Sequence, residues 1–396
     1  MSRPFYIATP EEILKGEATD IYYKRTLEIL KRKNLDKTRV IMDMHSYSFP
    51  RNYSWAVFAG LEEVLRILEG KPVKVWAMDE GTIIRPWEPV ISIECQYGDV
   101  CVYESIFLGI VRFYSSIATK AARLKKIAGD KKVVFFGIRA LHPAVTPAAD
   151  RAAFIGGCDA VSGVIGAKLI GEKPVGTMPH ELILIFEDQR KAWKAFDEVI
   201  SPEVPRICLC DTWFDERVEA VMAAETLGEK LAAVRFDTPS SRRGDMLKIV
   251  KEARWTLDML GYNHVKIVVS GGIDEEEIAE LKDYVDFFGV GTAIACPPPV
   301  DFSFDLVAKY DEKTGQWRPI SKKGKLPGRK QVYRCENCFE DYLVPWGKNM
   351  DKCSKCGGKL VPLLKLYIED GKIVRRLPSA REIREYVMKQ LSKVEL

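Results

Sequence analysis

From Lys131 onward the chain alternates between short apolar runs and amphipathic stretches, and this pattern limits the fold more than any other. The apolar runs Val133–Ile138, Arg206–Cys210, Leu231–Phe236, Val265–Val269 and Asp286–Val290 read as strands. Pro147–Ile155, Arg190–Val199, Asp215–Leu227 and Asp245–Leu260 read as the helices between them. Strands that are apolar almost throughout are covered on both faces, which implies a parallel sheet with helices packed on it. The extent, roughly 150 residues, suits a barrel short of eight full units or a doubly wound sheet.

Each of these strands ends in polar or glycine-rich residues. Arg139 comes after the first, Asp211-Thr212 after the second and Arg235-Phe236-Asp237-Thr238 at the end of the third. Ser270-Gly271-Gly272 and Gly289-Val290-Gly291-Thr292 close the last two. In such folds the chemistry collects at the carboxyl ends of the strands. Glycine lets the backbone approach a ligand, and free main-chain N–H groups suit an anion, so the last two turns read as a phosphate cradle. Asp237, with Ser240, Ser241, Arg242 and Arg243, makes a loop suited to ribose hydroxyls, Mg2+ and diphosphate. Arg139 has the planar fork that pairs with a carboxylate. Val175–Phe186 reads as strand or buried helix but is broken at Gly176-Thr177 and Pro179, with His180 at the break. Of the four histidines, His180 is the candidate for chemistry. His45 and His264 read as structural, and His142, in the loop after Arg139, is open.

The first 130 residues have a different texture. A long helical segment, capped by Thr19-Asp20, precedes a strand at Arg39–Tyr47, an apolar-striped helix at Tyr53–Leu68, strands at Val73–Ala77 and Val90–Ile93, and a helix at Tyr103–Ile127. Strands and helices segregated in this way suggest an α+β layer. The expected division is 1–130 for this domain, 131–300 for the barrel, 301–330 for a connecting segment, 331–362 for a cysteine module and 363–396 for a last strand and helix, with C-terminal segments free to return to the first domain.

Within the module, Cys335, Cys338, Cys353 and Cys356 form two C-x-x-C pairs with fourteen residues between them. Two such knuckles turn four thiolates onto one ion, with zinc first on softness and geometry, and no position is left open for chemistry. The role is therefore structural. The other six cysteines (Cys95, Cys101, Cys158, Cys208, Cys210, Cys296) read as core thiols. Net charge is +4 from 60 basic and 56 acidic residues, which gives little support to a nucleic-acid surface. No run of about 18 apolar residues stands out as a membrane span, and the N-terminus has no apolar signal core, so a cytoplasmic protein is expected.

Several motifs together resemble nicotinate phosphoribosyltransferase, of the archaeal type with a zinc-bearing tail. They are Thr19-Asp20-Ile21-Tyr22, Phe136-Gly137-Ile138-Arg139, Gly156-Gly157-Cys158-Asp159, Gly176-Thr177-Met178-Pro179-His180, Arg235-Phe236-Asp237, Ser270-Gly271-Gly272 and Gly289-Val290-Gly291-Thr292. The resemblance covers nearly the whole chain. It implies an α/β class protein: an N-terminal α/β sandwich and an irregular, TIM-like α/β barrel of type II phosphoribosyltransferases, with a small zinc ribbon near the C-terminus. It implies transfer of phosphoribosyl from 5-phosphoribosyl 1-diphosphate to nicotinate in NAD biosynthesis, driven by ATP through a phosphohistidine. By the same resemblance His180 is the phosphorylated residue, and Asp237 is catalytic. Arg139 and Arg235, with Thr177, hold the nicotinate carboxylate. Ser270, Gly271, Gly272, Gly291 and Thr292 bind the 5-phosphate, and Ser240 lies in the ribose loop. The partners are nicotinate, the diphosphate sugar, ATP with Mg2+, and a second copy whose Tyr22 stacks on the pyridine ring in a shared site. Two positions depart from the family pattern: Ala140 replaces a second arginine, and Asp237-Thr238-Pro239-Ser240-Ser241 replaces the usual Asp-Ser-Gly-Asp. The rival readings are a quinolinate or nicotinamide phosphoribosyltransferase of the same fold and, outside enzymes, a nucleic-acid-binding protein using the ribbon.

Overall fold

The computed structural model describes residues 3–239, 241–242 and 244–396. It divides into two compact units, 120–297 and 3–119 with 298–396. The division falls between Thr119 and Lys120, inside the helix Glu104–Ala128, and not after that helix at 130. The segments after 300 all belong with the N-terminal unit.

The unit 120–297 holds six parallel strands in the spatial order Ala160–Val161, Lys132–Phe135, Phe287–Val290, Lys266–Val269, Leu231–Phe236, Arg206–Leu209. Helices Thr146–Ile155, Gln189–Val199, Glu216–Leu227 and Met246–Met259 connect them, as the alternation predicts. Several are capped by side chains: Asp188 accepts from the amides of Arg190 and Lys191, Asp215 from Arg217 and Asp245 from Lys248. The sheet core is closed by Phe135, Val234, Phe236, Val269, Phe288 and Val290, all fully buried. The first strand is shorter than expected, because Gly137–Ala140 tightens into a 3₁₀ turn that carries Arg139. The sheet is a curled half-barrel and not a closed cylinder. Beyond Ala160–Val161 comes the helix Val164–Ile170 and then an extended segment, hooked to that edge strand by the Val175 amide donating to Val161 O at 2.9 Å. The chain around His180 resolves into this extended stretch and then the helix His180–Phe186.

The other unit is built on seven antiparallel strands. In spatial order they are Gln316–Pro319, Ser303–Asp311, Arg39–His45, Pro89–Gln96, Lys74–Ala77, Lys365–Glu369 and Lys372–Ile373. Ser303–Asp311 and Lys365–Glu369 come from the tail, so the sheet is completed by strands distant in sequence. The predicted helix Tyr53–Leu68 is helical only from Leu61 to Leu68. Gly60, at φ +93°, turns the chain there, and Ala56–Val57 pairs with Ile83–Ile84 instead. The N-terminal helical segment is likewise two helices, Pro10–Leu14 and Ile21–Arg32, with Gly16 at φ +71° between them. Asp20 stands at the N-cap of the second, but its carboxylate takes a hydrogen bond from Ser105 and not from the helix. The region Tyr97–Ala128 holds no unbroken apolar run of about 18 residues, but by length and composition it is apolar enough to cross a membrane; Phe107, Val111, Ile117, Ala121 and Leu124 in it are buried inside the molecule.

Candidate functional site

At the carboxyl ends of the parallel strands lies a cavity of about 840 Å³. Its walls include Arg139, Thr177, His180, Arg235, Asp237, Ser270, Gly271, Gly272, Gly291 and Thr292. Ten of the positions singled out in the sequence therefore meet in one place. Ser240 lies outside the described residues. Tyr22 is in the other unit, on the helix Ile21–Arg32, about half exposed and packed on Tyr23 with ring centroids 4.2 Å apart.

His180 lines the cavity and faces two carboxylates. The ring sits at the first turn of its helix, with Nδ1 3.2 Å from Thr212 Oγ1. Nε2 faces two carboxylates, Asp211 Oδ1 at 3.7 Å and Asp237 Oδ2 at 3.9 Å. Asp211 is the member that sequence reasoning finds only as a polar strand end. Its side chain is almost wholly buried; Oδ2 accepts from the Asp237 amide at 2.7 Å and from Thr238 Oγ1 at 3.0 Å. Its Oδ1 has no hydrogen-bond partner among the described residues. Burial pushes the Asp211 carboxyl above its usual range, against the pull of the Asp237 amide and of His180. The loop that presents Asp211 and Thr212 is fixed from below by Glu219, fully buried, which accepts from the amides of Thr212, Trp213 and Phe214.

Arg235 comes from the same strand end as Asp237. Its guanidinium donates to Met178 O at 3.3 Å and lies 3.8 Å from Asp237 Oδ2. Nε is buried with no partner among the described residues, and burial lowers the group's pKa. An arginine with a buried, unused donor at a cavity wall is a natural seat for a ligand oxyanion. Arg139, by contrast, is exposed at the rim of the first strand.

The glycine turns present Gly271, Gly272, Gly289 and Gly291 to the cavity. Ser270 Oγ donates to Asp237 Oδ1 at 2.6 Å. Gly271 and Gly272 have φ of +78° and +70°, and a Cβ on Gly271 would stand 2.7 Å from Asp237 O. A Cβ on Gly289 would meet the Phe136 ring at 2.5 Å. Side chains are excluded at Gly271 and Gly289 and disfavoured by the backbone at Gly272, which leaves the main chain itself as the lining.

In the other unit the four predicted cysteines converge. All four Sγ atoms lie within 4.8 Å of one another, with Cys335–Cys356 at 3.4 Å and Cys338–Cys353 at 3.6 Å. Thiolates around a tetrahedral zinc stand about 3.8 Å apart, so the donor set fits a metal such as zinc. Tyr342 Oη lies 3.3 Å from Cys353 Sγ. The strands Lys330–Cys335, Asp341–Pro345 and Leu360–Pro362 frame the site. Arg334, next to Cys335, ties it down through Asp341, Ile83 O and Gln390. Among the scattered cysteines all are buried except Cys296, which is exposed.

The half-barrel and the cavity at its strand ends are those of a type II phosphoribosyltransferase. Family models for the C-terminal and N-terminal domains of quinolinate phosphoribosyl transferase match residues 117–305 and 20–115. A crystal structure of nicotinate-nucleotide pyrophosphorylase from Pyrococcus furiosus is 55% identical, with a TM-score of 0.96 and all of both chains covered. Nicotinate phosphoribosyltransferase of Bacillus subtilis (strain 168) is 27% identical over 94% of this chain and 88% of its own length. Human nicotinic acid phosphoribosyltransferase, at 22% identity and a TM-score of 0.78 over 95% and 94% of the two chains, shares the fold. The chain belongs to the nicotinate phosphoribosyltransferase family.

Proposed function

We propose that this chain joins nicotinate to 5-phosphoribosyl 1-diphosphate, giving nicotinate mononucleotide and diphosphate in NAD biosynthesis, and that it couples the reaction to ATP. One observation carries the reading: His180, Asp237, an arginine with a buried unused donor and a glycine cradle line a single cavity, with the Asp211 carboxylate facing the same histidine.

In this reading the turns Ser270–Gly272 and Gly289–Thr292 take the 5-phosphate. Arg235 and Arg139, with Thr177 nearby, take the pyridine carboxylate. The pyridine nitrogen attacks the anomeric carbon, and the bond to diphosphate breaks with its electron pair leaving on the diphosphate oxygen. Positive charge grows on the ribose in the transition state, where Asp237 and Asp211 stabilise it, so positioning and electrostatics supply most of the rate. Asp237, on the cavity wall, and buried Asp211, whose Oδ1 has no hydrogen-bond partner among the described residues, are the groups that would hold Mg2+, which when bound offsets the charge of the diphosphate. His180 receives the terminal phosphoryl group of ATP on a ring nitrogen, ADP departs with the electron pair of the broken bond, and water later cleaves the phosphorus–nitrogen bond. The four cysteines hold a structural Zn2+. The enzyme works in the cytoplasm as a homodimer or larger assembly in which the partner subunit's Tyr22 covers the pyridine. Exposed apolar side chains support that arrangement: Tyr22 on one unit, and Val164, Ile165, Leu169 and Ile185 on the other.

The family models carry the quinolinate enzyme's name, which makes that enzyme the second reading. A dicarboxylate calls for more cations than Arg139 and Arg235, the arginines of the described cavity wall, of which Arg235 is already near Asp237. Incubation with labelled ATP should leave acid-labile label on His180 and turn over nicotinate. Absence of label together with carbon dioxide release from quinolinate would establish the rival.

A further inference from the structure

The cradle turn Ser270–Gly272 runs straight into the helix Glu275–Leu281, whose start carries Asp274, Glu275, Glu276 and Glu277. Acidic residues suit the start of a helix, but they sit badly beside a phosphate dianion. Asp274 lines the same cavity as Gly271 and Gly272. The conflict is resolved from the first helical turn of the unit. Lys120, its side chain 2% exposed, pairs with Asp274 and lies 2.9 Å from Glu275 Oε1. Arg123 grips both oxygens of Glu275, at 3.1 and 2.9 Å. Glu277 turns back onto the Asp274 amide at 3.0 Å.

We propose that Lys120 and Arg123 are positioning residues for the phosphate cradle, cancelling the Asp274 and Glu275 charges and fixing the turn that presents Gly271 and Gly272. This rests on reading that turn as the 5-phosphate site. The two cations touch no substrate. They act through the carboxylates, and so through the field and orientation felt by the sugar phosphate alone.

The test is steady-state kinetics on Lys120→Met, Asp274→Asn and the double variant. Lys120→Met uncovers a carboxylate and should raise KM for phosphoribosyl diphosphate about tenfold, with KM for nicotinate changed less than about twofold. Asparagine still caps the helix, so Asp274→Asn should lower that KM by about twofold to fivefold, and the double variant should return to within about threefold of the parent. A merely structural role predicts the opposite: both single variants impair, both KM values move together, and the double is worst. That pattern overturns the proposal. If Lys120→Met fails to fold by circular dichroism, Asp274→Asn decides alone, and an unchanged or raised KM overturns it. Gly271→Val separates the two layers. If it leaves KM for phosphoribosyl diphosphate unchanged, the cradle itself is misplaced. If it raises that KM while Lys120→Met does not, only the role of the cations falls.

Discussion

The cavity in residues 120–297 draws its side chains from separate strand ends, from Arg139 to Thr292, whereas the four-cysteine site takes its donors from one hairpin and the turn beyond it. In the first, the sheet exists without the site: Phe236, Val269 and Phe288 pack whether or not Asp237 is ionised. In the second, two of the four donors are part of the core. Cys335, Cys353 and Leu360 form a small buried cluster with few apolar partners, too little to hold three short strands by burial. A site hung on a scaffold can lose a member and keep the fold, while a site that replaces a core cannot.

That contrast can be broken by experiment. Asp237→Asn should cut kcat by about 10³-fold while leaving the melting temperature within a degree or two, since its neighbours Ser270 and Arg235 remain. A melt shifted as far as the activity would put Asp237 among the scaffold. Stripping the metal, or Cys353→Ser, should do the converse: one bound ion per chain is lost by elemental analysis, and the melting temperature falls on the order of 10 °C. An unchanged melt after chelation would mean the ribbon stands on its own packing. Gly272→Val forces a branched side chain onto φ +70° in a turn with open space around it. KM for phosphoribosyl diphosphate should rise about tenfold and that for nicotinate stay within about twofold. Equal movement in both would separate the turn from the 5-phosphate.

The smallest effect concerns acid stability. Burial pushes the Glu275 carboxyl up, but Arg123 and Lys120 together pull it down to about 2 from an ordinary 4.5. A depressed carboxylate adds stability that is present above the unfolded value near 4.5 and is lost as pH falls towards 2. Glu275→Gln should therefore be less stable than the parent at neutral pH and show a flatter loss between pH 4.5 and 2, monitored by far-ultraviolet circular dichroism. Superimposable curves would show that the ion pairs add nothing to the scaffold.

How much of this is legible in the sequence depends on locality. Each strand–helix unit of the barrel is decided by neighbouring residues, and Leu231–Phe236 occurs where the pattern puts it. The strand Ala160–Val161 and helix Val164–Ile170 leave no periodic trace, because the large apolar residues Val164, Ile165 and Leu169 are exposed while Gly166 and Ala167 face inward. Their reason is spatial: a Cβ on Gly163 or Gly166 would meet the Asp150 carboxylate at 1.9 or 2.2 Å. The run Trp55–Ala59 reads as helix because it is apolar on every side, and a wholly buried stretch gives strand and helix the same appearance. Asp211 and Thr212 become site residues only once folding sets them beside His180. The tail's return is equally nonlocal, since nothing in Ser303–Asp311 announces that it lies along Arg39–His45.

The stretch before His180 is held by Arg235 on Met178 O and, at the edge strand, by the Val175 amide on Val161 O. Most of the wall around the cavity is laced by ladders of main-chain hydrogen bonds, but the stretch bearing Thr177 and leading to His180 leaves the edge strand after that contact. A panel held at two points and not by a ladder has a preferred direction of give. In the coupling proposed above, a phosphoryl group on His180 would press on this stretch and not on the paired strands.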